Sequence, residues 1–298
     1  MQAHLAQINI GTMVAPTDDP AVAEFMDNLD RVNKLADESE GFVWRLQTDS
    51  GNATDIQIFP NPLELVNMSV WESVDALKAY VYRSDHVDFF RRRAEWFQVD
   101  AKRVALWWIP AGTVPELDEA VRRVEFQERH GPSPYSFGFA RQPEQLVIHE
   151  TRPGDPATLD LVSRSNAELT ALYDHPDANH FSLADDEVTG DRGAMITARL
   201  DAIPVACGAV RRLDDGRGEI KRMFVDPAVR GQRLGAAILD QLELRATRLG
   251  IDELVLETGV HQHAAISLYE ANGYTPAELW GEYVRSAETS RAYRKLLR

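Results

Sequence analysis

At 298 residues, 44% of them hydrophobic and 27% charged, the chain has the composition of an ordinary globular protein and is long enough for two domains with separate cores. A net charge of −15 argues against nucleic-acid or anionic-membrane binding, which need a basic footprint. The single cysteine, Cys207, excludes an internal disulfide framework and fits a reducing compartment. The start, "MQAHLAQINIGTM", lacks the basic end and apolar run of a secretory signal, and no segment reads as a bilayer span, so the expected location is cytoplasmic.

In chain order, "HLAQINIGT" alternates apolar and polar residues and predicts a half-buried strand. "PAVAEFMDNLDRVNKLADES" places Val22, Phe25, Met26, Leu29, Val32 and Leu35 at helical spacing, with Gly41 as a stop. "GFVWRLQTD" and "LELVNMSVWES" predict two strands separated by turn residues. "SVDALKAYVYRSDHVDFFRRRAEWF" predicts a helix broken near Ser84, "RVALWWIPAG" a buried strand, and "PELDEAVRRVEFQERHG" a helix with acids in its first turn and Gly131 past its last. Five of the six tryptophans lie before residue 110, and a Pro/Gly-rich stretch from Arg129 to Gln145 punctuates the chain. The expected domains are therefore 1–142 and 143–298.

The βαββαβ order of the first half is that of a ferredoxin-like α+β sandwich. With "SVWESVDALKAYVYRSDHVDFFRRRAEWF" and "LWWIPAG", this half resembles an uncharacterised bacterial domain family related to the dimeric α+β-barrel proteins, which include antibiotic-biosynthesis monooxygenases. The resemblance implies an α+β-barrel domain that could pair two chains into a homodimer; it implies no particular activity. His86, among Tyr80, Tyr82, Phe89 and Phe90, is the one histidine here that could transfer protons or ligate haem, but it has no second titratable partner at a fixed offset. The tryptophans read as core.

From Val147 the pattern changes. "LVIHETRPGDPATLDLVSRSNAELTALY" predicts a strand, a turn and a helix. "GAMITARLDAIPVACGAVRRLDDGRGEIKRMFV" predicts three strands joined by tight turns at Asp201-Ala202 and Asp214–Gly218. A helix follows from Leu234 to Leu249, then the strand "ELVLET", the helix "HAAISLYEANG", and closing strands in "ELWGEYVRS" and "SRAYRKLLR". Between strand and helix lies Arg230-Gly231-Gln232-Arg233-Leu234-Gly235, a loop that exposes backbone N–H groups at a helix N-terminus, where phosphate is the usual guest.

The motifs "EIKRMFVDPAVRGQRLGAAIL" and "LETGVHQHAAISLYEANGY" resemble the GNAT superfamily of acyl-CoA-dependent N-acetyltransferases, over essentially residues 146–298. The resemblance implies a mixed, mostly antiparallel central sheet flanked by helices, acetyl-CoA as co-substrate, no metal, and direct transfer of acetyl to a primary amine of a small molecule such as an amino acid. Arg230, Gly231, Gln232, Arg233, Leu234, Gly235 and Ala236 match the pyrophosphate loop, with Arg233 where a glycine is usual. Met223, Phe224 and Val225 match the strand whose backbone pairs with the pantetheine arm, and the Val225 N–H matches the oxyanion donor. Gln262 (or His261) stands where the family often has a cofactor-contacting asparagine. Glu219 matches the general base, directly or through water, and Tyr269 the acid that protonates the departing thiolate. Cys207 reads as a strand core residue. Asp185, Asp186 and Glu187, in the early loop, could attract an ammonium group or simply be solvated. Two rival readings stand beside this one: a non-catalytic acyl-CoA sensor, and a monooxygenase or haem-handling N-terminal barrel as the main activity.

Overall fold

Side-chain alternation along the first strand sorts the N-terminal region into two faces. The computed structural model describes residues 2–83, 86–98, 103–140, 142–173 and 183–297, and of Arg83, His86 and Phe90 the backbone alone. The chain divides into two compact units, Met1–Pro143 and Glu144–Arg298.

The first unit runs β1 (Ala3–Thr12), α1 (Ala23–Asp27), α2 (Leu29–Asp37), β2 (Phe42–Arg45), β3 (Glu64–Trp71), α3 (Val74–Arg83), α4 (His86–Arg92), β4 (Arg103–Pro110) and α5 (Leu117–His130). Its strands form an antiparallel sheet in the order β2-β3-β1-β4, the ferredoxin-like arrangement. Ala6, Ile8 and Ile10 share one face with Val66, Met68, Val70, Ala105 and Trp107, and pack there on Ala120 and Val124 of α5. Arg123, 3% exposed, is held on this helix by Glu119 (2.6 Å) and the Tyr135 carbonyl (2.6 Å). Gly131 ends α5 with a positive φ of 75°.

Two expectations change here. The helix predicted as one piece is two, because Asn28 turns its side chain back to donate to the Glu24 carbonyl (2.8 Å), offering the backbone a local alternative to the helical ladder. The polar face of β1 is not simply solvated, since Gln7 is only 8% exposed and Asn9 is half-buried. Ser84, near which the second helix is expected to break, and the side chain of His86 lie outside the described residues.

The second unit runs β5 (Leu146–Thr151), α6 (Pro156–Leu172), β6 (Gly193–Leu200), β7 (Ile203–Arg212), β8 (Gly218–Val225), α7 (Leu234–Arg248), β9 (Glu253–Gly259), α8 (His263–Ala271), β10 (Thr275–Ala277) and β11 (Ser290–Leu296). They build one mixed sheet in the order β10-β11-β9-β8-β7-β6-β5. Every pairing is antiparallel except β8 with β9, which is parallel. Asp201 and Ala202 both have positive φ, as the tight β6–β7 turn requires. Ile238 and Leu242 of α7 are fully buried, and the helix packs across β6, β7 and β8.

The segment predicted as the strand "ELWGEYVRS" is instead a 3₁₀ turn, Gly281–Ser286. Gly281 takes φ 53°, which breaks the extended chain, and the turn swings Tyr283 inward to 3% exposure. Among the described residues no helix is long and apolar enough to cross a membrane, and no cluster of His, Cys, Asp and Glu could hold a metal ion.

Candidate active site

The parallel pair is where the sheet opens. β8 and β9 share register only from Gly218–Ile220 against Leu254–Leu256. Beyond Ile220 they part. Arg222 has φ 58°, and the β7–β8 register slips between Cys207 and Ala209, so β8 carries a bulge where it leaves its neighbour. Bulges re-aim a strand and are common beside active sites. Past the bulge, the Asp226 N–H donates to the Val205 carbonyl (2.8 Å), and strand alternation turns Val225 the other way. Its carbonyl accepts from Arg230 Nε (3.0 Å) on that side, leaving its N–H aimed at the gap.

A cavity of about 100 Å³ sits at the opening, lined among others by Lys221, Met223, Glu257, Gln262, Tyr269 and Tyr283. Tyr269, on α8, packs at a tilt near Tyr274 and Tyr293 (centroids 5.9 and 6.4 Å), and its hydroxyl hydrogen-bonds to no described residue. Burial, reinforced by Glu257, pushes its pKa well above the usual tyrosine range, so it is a protonated phenol at any ordinary pH. Tyr173 closes one side: its hydroxyl accepts from the His261 N–H (3.2 Å) and lies where a Cβ on Gly259 would stand, 1.7 Å away. Gly259 is thus needed for that close approach.

Below the cavity runs a buried charged chain. Glu219 is fully buried; Arg211 donates to it (2.6 Å), and the Tyr283 hydroxyl donates to it at 2.5 Å. Lys221 Nζ donates in turn to the Tyr283 hydroxyl (2.9 Å), and Glu187 holds the other side of Arg211. Burial lowers the Lys221 pKa, with Glu219 partly offsetting it. Glu219 therefore does not line the cavity but meets it through Tyr283. Cys207 is fully buried, and burial pushes its thiol up to about 12, which denies it the thiolate a nucleophile needs.

The loop before α7 forms with Gly231 at φ 87° and Arg233 at φ 65°. Arg233 thus occupies the left-handed conformation that a glycine takes freely, at a cost of roughly 1–2 kcal/mol. As N-cap of α7 it offers no side-chain acceptor, and no acid lies in the first turn, so the leading N–H groups there keep their capacity for an anion. Arg233 is exposed and makes no ion pair among the described residues, whereas Arg230 is committed to Glu168 (2.7 and 2.8 Å). Gln232 Oε1 is buried without a partner among the described residues. Leu234 and Ala236 are buried, so their contribution to a phosphate is the backbone. Of the strand residues singled out in the sequence, Met223 faces the cavity and Phe224 points into the core with Leu161, Met195 and Cys207. Gln262 reaches the cavity as N-cap of α8; Asp185, Asp186 and Glu187 form a 3₁₀ turn, Glu187 serving Arg211. Residues 174–182, part of the early segment expected to hold the acceptor, lie outside the described residues.

Sequence reasoning did not single out Tyr283, Lys221, Glu257 or Tyr173. Only Glu257 carried a signal: it directly follows the apolar run Leu254–Leu256 in "ELVLET", which sets it apart as a carboxylate at the end of a buried strand segment.

A mixed sheet splayed beside an uncapped helix N-terminus, with a protonated phenol at the opening, defines an enzyme that transfers a group from a long phosphate-bearing carrier. Residues 159–274 match the Acetyltransferase (GNAT) family, and residues 4–151 match a domain of unknown function, DUF3291. An IAA acetyltransferase of Azospirillum brasilense is 32% identical over 143 residues, which are 46% of this chain and 90% of that protein. Among solved structures, one from Klebsiella pneumoniae assigned to the acyl-CoA N-acyltransferases is 31% identical (51% of this chain, 98% of that one, TM-score 0.44). An acetyltransferase of Streptococcus agalactiae is 24% identical (51% and 98%, TM-score 0.43). The chain belongs, through its C-terminal unit, to the GNAT acetyltransferase family.

Proposed function

We propose that the C-terminal unit transfers acetyl from acetyl-CoA to a primary amine of a small molecule by direct attack. The observation that carries this reading is Tyr269 in the cavity wall at the β8–β9 opening, its hydroxyl protonated and without a partner among the described residues. Acetyl-CoA supplies an activated acetyl group as its thioester. The N–H groups of Gly235 and its neighbours, with Arg233, hold the diphosphate, and the Met223–Val225 edge pairs with the carrier's amide arm. The Val225 N–H donates to the acetyl oxygen, where negative charge develops.

Glu257 and Glu219 take different roles. Glu257, in the cavity wall, attracts the substrate ammonium. Tyr283 accepts the proton that the amine gives up and passes its own to Glu219, to which it is already bonded. Tyr269 gives its proton to the departing thiolate and recovers one from solvent. Loss of its proton to Tyr283 turns the ammonium into a neutral amine, whose lone pair forms the new C–N bond as the C–S bond breaks. The nitrogen's second proton and the one left on Glu219 then pass to solvent, so one proton is released per turnover and no covalent enzyme adduct forms.

Intact-mass analysis after incubation with acetyl-CoA alone tests direct attack. The reading expects unmodified protein; an acetyl group retained on Cys207 would replace it with a two-step route.

A further inference from the structure

The N-terminal sheet has a second face that the core does not use. Gln7 and Asn9 of β1 stand directly across from Ser69 and Asn67 of β3, so four neutral polar side chains meet on one side of the sheet. Helices α1 to α4 do not close on this floor. They leave a cavity of about 260 Å³, with exposed Asn67 at its mouth. Two aromatic walls flank it. Trp71 and Tyr80 stack at 5.1 Å on one side, and Phe25, Trp96 and Phe97 cluster on the other (centroids 5.0 and 5.8 Å).

The polar floor is satisfied but for one group. Gln7 Nε2 donates to Asn67 Oδ1 (2.9 Å) and Ser69 Oγ (3.0 Å), and Trp71 Nε1 donates to Ser69 Oγ (2.8 Å). Asn9 Oδ1 is buried and accepts from no described residue. A buried acceptor without a donor is costly and normally has a reason. A packed core would place an apolar residue there. The charged side chains along the cavity are Arg45 and Arg93, with no described acid, which disfavours a cationic guest. Arg45 is already committed to Asp37 (2.8 Å) and the Gly51 carbonyl (2.7 Å), so it does not call for an anion.

We propose that the N-terminal unit binds a neutral planar aromatic molecule carrying an O–H or N–H that donates to Asn9 Oδ1, with its rings between the Trp71–Tyr80 pair and the Phe25–Trp96–Phe97 cluster. Size follows from comparison: an apolar cavity of about 150 Å³ takes benzene, so about 260 Å³ takes roughly two fused rings. This site is independent of the acetyl-transfer reading, since every lining residue belongs to the first unit.

The test is calorimetry of the full chain with 2-naphthol and with naphthalene, which share a ring system and differ in the O–H. Wild type should bind 2-naphthol at least fivefold more tightly. Asn9→Leu should bring the two affinities within twofold, and its thermal midpoint without ligand should not fall, because an unpartnered acceptor is removed. Val32→Trp, on α2 in the cavity wall, should weaken both ligands at least tenfold while the far-UV spectrum stays that of wild type. No heat with 2-naphthol up to its solubility limit would overturn the proposal. Equal wild-type affinities, or a preference that survives Asn9→Leu, would overturn it equally.

Discussion

Replacing Tyr269 by phenylalanine separates chemistry from stability, because the two uses of this side chain are carried by different atoms. The ring supplies the packing: it is 5% exposed and lies 5.9 Å from Tyr274 and 6.4 Å from Tyr293. Aromatic pairs of this kind contribute about 0.5–1.5 kcal/mol each beyond their area, and phenylalanine keeps them. The hydroxyl bonds to no described residue, so its loss should change stability by less than about 0.5 kcal/mol. At about 2–4 °C per kcal/mol for a unit of this size, the thermal midpoint should move by less than about 2 °C. Loss of a positioned general acid typically costs 10²–10⁴-fold. The expected result is a kcat for thiol release at least about 100-fold lower, about 2.7 kcal/mol on the barrier, with the KM for acetyl-CoA within about threefold of wild type. Initial rates over acetyl-CoA concentration and differential scanning calorimetry on the same preparation read both numbers. An unchanged kcat would remove Tyr269 from the chemistry. A midpoint several degrees lower would mean that the hydroxyl serves the fold.

Arg233→Glu should raise the KM for acetyl-CoA about tenfold and leave the midpoint unmoved, because the residue is exposed and makes no ion pair among the described residues; steady-state kinetics at low and moderate salt checks it. Gly259→Ala sets a methyl group 1.7 Å from the Tyr173 hydroxyl, so it should expel that side chain and lower kcat/KM for the amine about tenfold or more, read from the same assay. Arg123→Ala breaks a part-buried pair with Glu119 and strips a donor from the buried Tyr135 carbonyl, and should destabilise the N-terminal unit by about 2–3 kcal/mol, visible as an earlier denaturant transition. Tyr80, Tyr269 and Tyr283 all have pKa values raised by burial. Each unfolded phenol ionises near pH 10, so their neutral forms support the fold fully below that pH, and stability should fall as pH rises beyond it. Absorbance at 295 nm and circular dichroism should then change together, not in separate steps.

Much of the C-terminal unit was legible because its signals are local. Glycine and polar residues at Arg230–Gly235 marked the loop, and the period of Leu234, Ile238 and Leu242 marked α7, since backbone conformation and one buried stripe follow from near neighbours. Arg233 showed the limit: its residue type argued against a left-handed backbone that the surrounding loop imposes. The role of Glu219 was not legible either. Its position on the strand and its place across from Arg211 are local, but its tie to Tyr283 depends on a segment 64 positions later that turns inward instead of extending. In the first unit, alternation along β1 correctly gave a strand and wrongly suggested water on its polar side. Gln7 and Asn9 read as solvent-facing because a sequence does not say which helices will roof a sheet, or whether they will close on it.

The central claim is tested most directly by thiol release from acetyl-CoA with a panel of amino acids, polyamines and aminoglycosides. The account predicts turnover with one class of small primary amine. Tight binding of acetyl-CoA with no thiol released above the rate without amine, across the whole panel, would contradict it.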